Sequence, residues 1–268
     1  MMATIHLWAR ALLRPRGTAA AGVVVTLFSL APAWFAYADR GMRVQAFPSA
    51  LYTSMFEQSP LVLLFPLVVA IPFALSFSGE LSHRYATYTR TRVPVRTYLA
   101  ARLGANAVVV FLTFVLVGLL PQLFVVLGST TYRPQDYHLD SPDVILNAEI
   151  GWTTFSQFRA DGPWGLPIVF ALWLGINAVL YSSLTMCSLV VVSNRALAIS
   201  LPWLAYLLVY LGMAVLGWEA YGPGLVVPFG LTQLPLENAW YTLLGTGVIT
   251  AFAVSTVVAR APRLARLQ

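Results

Sequence analysis

The sequence predicts an all-α polytopic membrane protein with six transmembrane helices and both termini in the cytoplasm. Three observations carry that prediction. Hydrophobic residues make up 59% of the 268 residues and charged residues only 10%, against about 25% charged in a soluble domain. The mean hydropathy is +0.75. The charges also separate apolar runs of membrane-spanning length, and the basic ones gather on one side of those runs.

Each span is read by cutting the chain at its charges, since a charge in mid-bilayer is costly and a crossing needs about 20 apolar residues. Arg16 and Asp39 enclose 22 uncharged residues, Glu57 and Glu80 another 22, Arg102 and Arg133 30, Asp161 and Arg195 33, Arg195 and Glu219 23, and Glu237 and Arg260 22. Trimmed of Gly, Pro and Ser ends, these give spans at 17–38, 58–78, 103–127, 166–192, 196–218 and 238–259. Ala36-Tyr37-Ala38 resembles a signal-peptidase site. The apolar run before it is longer than the usual 7–15 residues or so, which predicts an uncleaved first helix.

Orientation follows from arginine. All 16 basic residues are Arg. With the N-terminus inside, 12 of the 16 fall on the cytoplasmic side, whereas nine of the ten acidic residues fall outside and only Glu80 inside. The inner face then carries 12 − 1 = +11 and the outer face 4 − 9 = −5. This sidedness explains the high pI of 9.7 as a topology signal, so no nucleic-acid partner is expected.

The connecting segments differ. Residues 1–16 read as an amphipathic helix on the inner surface, with Ile5, Trp8 and Leu12 opposite His6, Arg10 and Arg14. The outer segment 129–165 is acidic and proline-punctuated, with an interfacial helix expected after Ser141-Pro142-Asp143 that carries Phe155 and Phe158. Residues 220–236 hold Gly222-Pro223-Gly224, Pro228 and Pro235 in pieces too short to cross, which predicts a re-entrant outer segment before the last helix.

Several function classes are disfavoured. Without Lys there is no P-loop lysine. The single Cys187 lies in an apolar run and makes no framework. No ionisable residue falls in the centre of a predicted span, and His6, His83 and His138 lie on different sides of the membrane. An enzyme, a metal site and a proton-coupled carrier are therefore all disfavoured.

The spans do carry a mild polar stripe. Asn177, Tyr181, Thr185 and Ser188 share one face of the fourth helix, and Trp203, Tyr206 and Tyr210 with Met213 share one face of the fifth. Such side chains either join membrane helices to one another or line a translocation pathway. Pro32, Pro72, Pro121, Pro167 and Pro202 are each expected to kink or end a helical turn.

The most specific pattern is the cytoplasmic loop 79–101. Glu80 opens it, Arg84, Tyr85, Tyr88, Arg90 and Arg92 follow, Val93-Pro94 divides it, and Tyr98-Leu99 leads into the third span. Here Gly79-Glu80, the Tyr85–Tyr88 segment, Thr91-Arg92-Val93-Pro94 and Tyr98-Leu99-Ala100-Ala101-Arg102 resemble the permease subunits of type-2 ABC exporters. The amphipathic N-terminal segment, the broken segment before the last span and the inner turn Ser193-Asn194-Arg195 are similar to that family as well. The chain departs from it in carrying Arg where Lys is usual at the start of the third span, and in a longer outer segment between the third and fourth spans.

The resemblance implies a permease with a cytoplasmic coupling helix, in which Glu80, Arg84, Tyr85, Tyr88, Arg90 and Arg92 dock a separate ABC ATPase present in two copies. It also implies a second permease copy, identical or related, and a place in the cytoplasmic (inner) membrane. This chain would bind no cofactor, with ATP and Mg held by the ATPase. The alternatives are an ion-coupled secondary carrier and a non-transporting membrane anchor or immunity subunit.

Overall fold

The computed structural model describes residues 15–31, 52–53, 55–56, 59–82, 94–131, 155, 158, 162, 164–218, 222–223 and 236–260. Among the described residues there is no strand, and the regular elements are seven helices. Helix α1 is Pro15–Val25 and runs on through a π-helical turn at Thr26–Leu30; α2 is Leu61–Ala70, α3 Ala74–Ser82, α4 Val95–Thr131, α5 Gly165–Val191, α6 Arg195–Val215 and α7 Leu236–Arg260. Five stretches are long and apolar enough to cross a membrane: Leu61–Leu81, Val95–Leu127, Gly165–Val191, Arg195–Val215 and Leu243–Arg260. A shorter apolar helix, Ala19–Leu30, precedes them. The chain is an all-α multi-pass membrane protein.

The second span is one rod in two pieces. Pro72 has no N–H to donate to the Val68 carbonyl four residues back, and that carbonyl instead takes the Ile71 N–H at 3.1 Å. The result is a turn at 71–73 between α2 and α3. The third span starts eight residues before the expected 103, at Val95. Charge cutting placed the boundary at Arg102, but that side chain is paired inside the bundle (below), so the helix continues past it.

Helix α6 has clean ends. Asn194 caps its start, its Oδ1 accepting from Ala196 N and Leu197 N at 3.0 and 3.3 Å. Its other end closes in a Schellman turn. Gly217 sits at φ +71°, Gly217 N donates to Ala214 O, and Trp218 N donates to Met213 O.

Helix α5 is the centre of the bundle, packing on α4, α6, α7, α2 and α3. Its seam with α4 is close because small residues let the backbones approach. A Cβ on Gly118 would lie 2.7 Å from the Cα of Ala171, and one on Gly175 would meet the Phe111 ring at 2.9 Å. Between the helices lies an aromatic cluster. Phe65 of α2 meets Phe114 of α4 and Tyr181 of α5 edge-on, and Tyr181 in turn meets Tyr206 of α6. By contrast, only 17% and 11% of the apolar stretches of α6 and α7 are buried, which leaves their outer faces to lipid or to another chain.

Of the connecting segments, 1–14 and 83–93 lie outside the described residues, as do most of 129–165 and 220–236. The flanks of the segment 79–101 are absorbed into α3 and α4. In the outer segment, Phe155 adopts a left-handed backbone with φ 68°. Its ring is buried against Trp173 at a centroid distance of 5.4 Å, so Phe155 packs into the helical core.

Candidate functional site

Two arrangements bear on function. The first lies at the end of the bundle where α3 ends and α4 begins. Glu80, in the last turn of α3, is buried along with Arg102 of α4. Arg102 Nη2 approaches Glu80 Oε2 at 2.9 Å, and the Tyr98 hydroxyl donates to the same oxygen at 2.7 Å. The Arg102 guanidinium also lies over the Tyr98 ring, 5.5 Å from its centroid. Two charges removed from water need a partner and hydrogen bonds to be tolerated; the carboxylate has both. Among the described residues, Arg102 Nε and Nη1 have no hydrogen-bond partner.

Six residues before Arg102, the exposed Arg96 reaches to the last turn of α7 and donates from Nη2 to Ala259 O at 3.1 Å. The final carbonyls of a helix have no intrahelical donor, so this bond caps α7. The start of α4 thus binds the end of α3 and the end of α7.

Of the residues expected to dock a partner, Glu80 is therefore turned into the bundle, where it is buried and bonded to Tyr98 and Arg102. Arg84, Tyr85, Tyr88, Arg90 and Arg92 lie outside the described residues.

The second arrangement is the polar stripe, whose members the structure brings together inside the chain. Asn177 Nδ2 donates to Trp173 O at 2.9 Å and Thr185 Oγ1 to Tyr181 O at 3.0 Å, both on their own helix. The Tyr181 ring fills the aromatic cluster, and its hydroxyl is hydrogen-bonded with Thr246 of α7. Next along the bundle, Ser182 Oγ donates to Asn106 Oδ1 of α4 at 2.6 Å. Tyr210 stacks on Tyr206 with the rings 4° from parallel.

The remaining stripe members bond to carbonyls at or beside proline gaps. A proline at position i leaves the carbonyl at i−4 without its intrahelical donor, and in a bilayer such a group must be satisfied by a neighbouring helix. Pro66 lies inside α2, and the Tyr206 hydroxyl of α6 donates to the Val62 carbonyl that Pro66 cannot serve. One residue on, Trp203 Nε1 donates to Leu63 O at 2.9 Å. Pro202 lies inside α6, and the Ala198 carbonyl that it deprives lies within hydrogen-bonding reach of Ser188 Oγ of α5, whose one proton is shared between that carbonyl and Thr185 O at 2.8 Å. In α4, next to the carbonyl that Pro121 deprives, Gly118 O accepts from the buried Tyr52 hydroxyl at 2.7 Å. Burial pushes the Tyr52 phenol well above its usual value, so it remains a donor.

Sequence reasoning identified the stripe as one face but missed Pro66 as its counterpart; it named Tyr98 and Arg102 only as part of the loop motif and gave Arg96 no individual role. For Pro66 a signal was present, since a proline in mid-span calls for a donor from elsewhere. For Glu80 and Arg102 the signal was a lone inner carboxylate with an arginine at the start of the following helix.

The fold and these arrangements define a multi-pass helical membrane protein whose internal polar groups join its helices. Among the described residues no group of His, Cys, Asp and Glu is placed to hold a metal ion. No protein-family model matches the chain, and neither a curated protein nor a solved structure matches it significantly.

Proposed function

We propose that this chain is the membrane-spanning permease subunit of an ATP-driven exporter of the type-2 ABC kind, with six spans and both termini on the cytoplasmic side. In this reading α1 belongs to the first span, and the chain resides in the cytoplasmic membrane. Two copies of a separate ATPase dock on the arginine-rich loop and hold the ATP and Mg. The pathway runs between this chain and a second permease copy, identical or related, because the polar stripe inside one chain is taken up by helix-to-helix bonds.

One observation carries the reading. Residues 83–93 connect α3 to α4 in sequence, and Glu80, Tyr98 and Arg102 tie those two helices together on either side of that connection. A force on the loop therefore enters two helices at once, as coupling to an outside motor requires. The loop motif around Thr91-Arg92-Val93-Pro94 and the +11 and −5 division of charge support the same reading.

Co-expression with a candidate ATPase encoded beside this chain tests it. The expected result is a stable complex whose ATPase activity rises when the permease is present, with Arg92→Glu lowering that stimulation while leaving membrane insertion intact. Transport by the isolated chain that persists after ATP depletion overturns the proposal in favour of an ion-coupled carrier.

A further inference from the structure

The second span is tied to different neighbours above and below its break. Its outer piece, α2, receives both long-range hydrogen bonds from α6, Trp203 Nε1 to Leu63 O and the Tyr206 hydroxyl to Val62 O. Its inner piece, α3, is fastened to α4 by the Glu80–Arg102 pair and the Tyr98 hydroxyl. Between the pieces lies the turn at 71–73, where Pro72 interrupts the helical ladder. Helix α6 packs along α2 and α5, and α5 runs past both pieces of the second span.

We propose that the second span is a two-piece lever: α3 moves with the inner end of α4 as one body, α2 moves with α6 as another, and residues 71–73 are the joint between them. The chemistry of the two fastenings sets this division. Each consists of directional polar bonds in a low-dielectric setting, buried at Glu80 and Tyr98, part-buried at the Tyr206 bond and exposed at the Trp203 bond, where breaking one leaves a polar group unpaired. The aromatic contacts of Phe65 with Phe114 and Tyr181 are non-directional and permit small sliding motions. Proline at the joint removes the ladder bond that would otherwise resist bending.

Helix α6 is suited to travel with α2. Most of its apolar surface faces outward, so moving it disturbs little packing beyond α2 and α5. Displacement of the loop at the inner end is thereby delivered to α4, while α2 and α6 respond separately on the outer side of the joint. This division belongs to the chain itself and holds whatever energy source drives it.

Nitroxide pairs on the full-length protein in lipid nanodiscs test the lever, in a background in which the lone cysteine is removed by Cys187→Ser. Exposed positions are available on every piece: Leu63 on α2, Leu75 on α3, Val108 on α4 and Leu208 on α6. The expected result is narrow distance distributions for Leu75 with Val108 and for Leu63 with Leu208, and a broader one for Leu63 with Leu75. The joined variant Trp203→Phe and Tyr206→Phe should broaden only the Leu63–Leu208 pair, and Glu80→Gln only the Leu75–Val108 pair. Pro72→Ala should narrow the Leu63–Leu75 distribution.

Should Glu80→Gln fail to insert, Tyr98→Phe removes one bond of the same fastening and is read on the same pair. Equal broadening of both pairs by either fastening variant overturns the lever, as does a Leu63–Leu75 distribution that Pro72→Ala leaves unchanged.

Discussion

The hydroxyl of Tyr206 donates to the backbone carbonyl of Val62, the carbonyl that Pro66 deprives of its intrahelical donor. The two residues lie 144 positions apart in sequence. This single bond explains why a proline is tolerated inside a membrane helix and why a tyrosine stands on the facing one. It also makes the two side chains energetically dependent on each other.

That dependence is measurable. Tyr206→Phe keeps the ring and its packing but leaves the Val62 carbonyl unserved, which should cost about 1 kcal/mol. Pro66→Ala restores a backbone N–H at position 66 to fill that carbonyl. In thermal unfolding of the detergent-solubilised protein, Tyr206→Phe should lower the midpoint in the wild-type background and cost clearly less in the Pro66→Ala background. Equal losses in both would show that the hydroxyl serves something other than the proline gap. Ser188→Ala and Pro202→Ala form a second cycle of the same design around the Ala198 carbonyl.

The Glu80–Arg102 pair supplies a second prediction. Both side chains are buried, at 7% and 5% exposure, so removing one charge strands the other. Glu80→Leu or Arg102→Leu alone should each destabilise by about 3–5 kcal/mol, and the double replacement by much less than their sum. Yield of folded, monodisperse protein together with the unfolding midpoint reads this out. Additive losses would mean that the two residues do not depend on each other.

These cases show what the sequence made legible. Apolar runs cut at the charges overlap the described helices, because a long uncharged apolar stretch favours a helix that can be buried in lipid. The rule failed at Arg102, where a carboxylate 22 positions earlier neutralises the guanidinium and lets α4 begin at Val95. The stripe of Asn177, Tyr181, Thr185 and Ser188 was legible as one face from helical spacing alone. Its partners were not, because Ala198 O and Asn106 Oδ1 lie on other helices, and spacing along one helix says nothing of what it packs against.

Gly118 offers a third test. With the Ala171 Cα at 2.7 Å from any Cβ placed there, Gly118→Ala forces α4 and α5 apart. The expected cost is about 1–3 kcal/mol, larger for Gly118→Val. The same change at Gly79, where a Cβ would meet nothing within 4 Å, should be neutral or stabilising by up to about 1 kcal/mol through helix propensity. A Gly118→Ala protein that melts with wild type would place the seam between α4 and α5 further apart than described.

Topology gives the last prediction. Arg195 at the start of α6 and Arg260 at the end of α7 are exposed, and so is Trp218 just beyond the far end of α6. A single crossing by α6 puts Arg195 and Trp218 on opposite faces, and the division of charge assigns Arg195 to the cytoplasm. In the Cys187→Ser background, Trp218→Cys should react with a membrane-impermeant maleimide in intact cells. Arg195→Cys and Arg260→Cys should react only after permeabilisation. A reporter fused ahead of Met1 should also behave as cytoplasmic, because six crossings return both ends to the same side. If that reporter lies outside while Arg260→Cys stays protected, the number of crossings is odd, and α1 does not belong to a span.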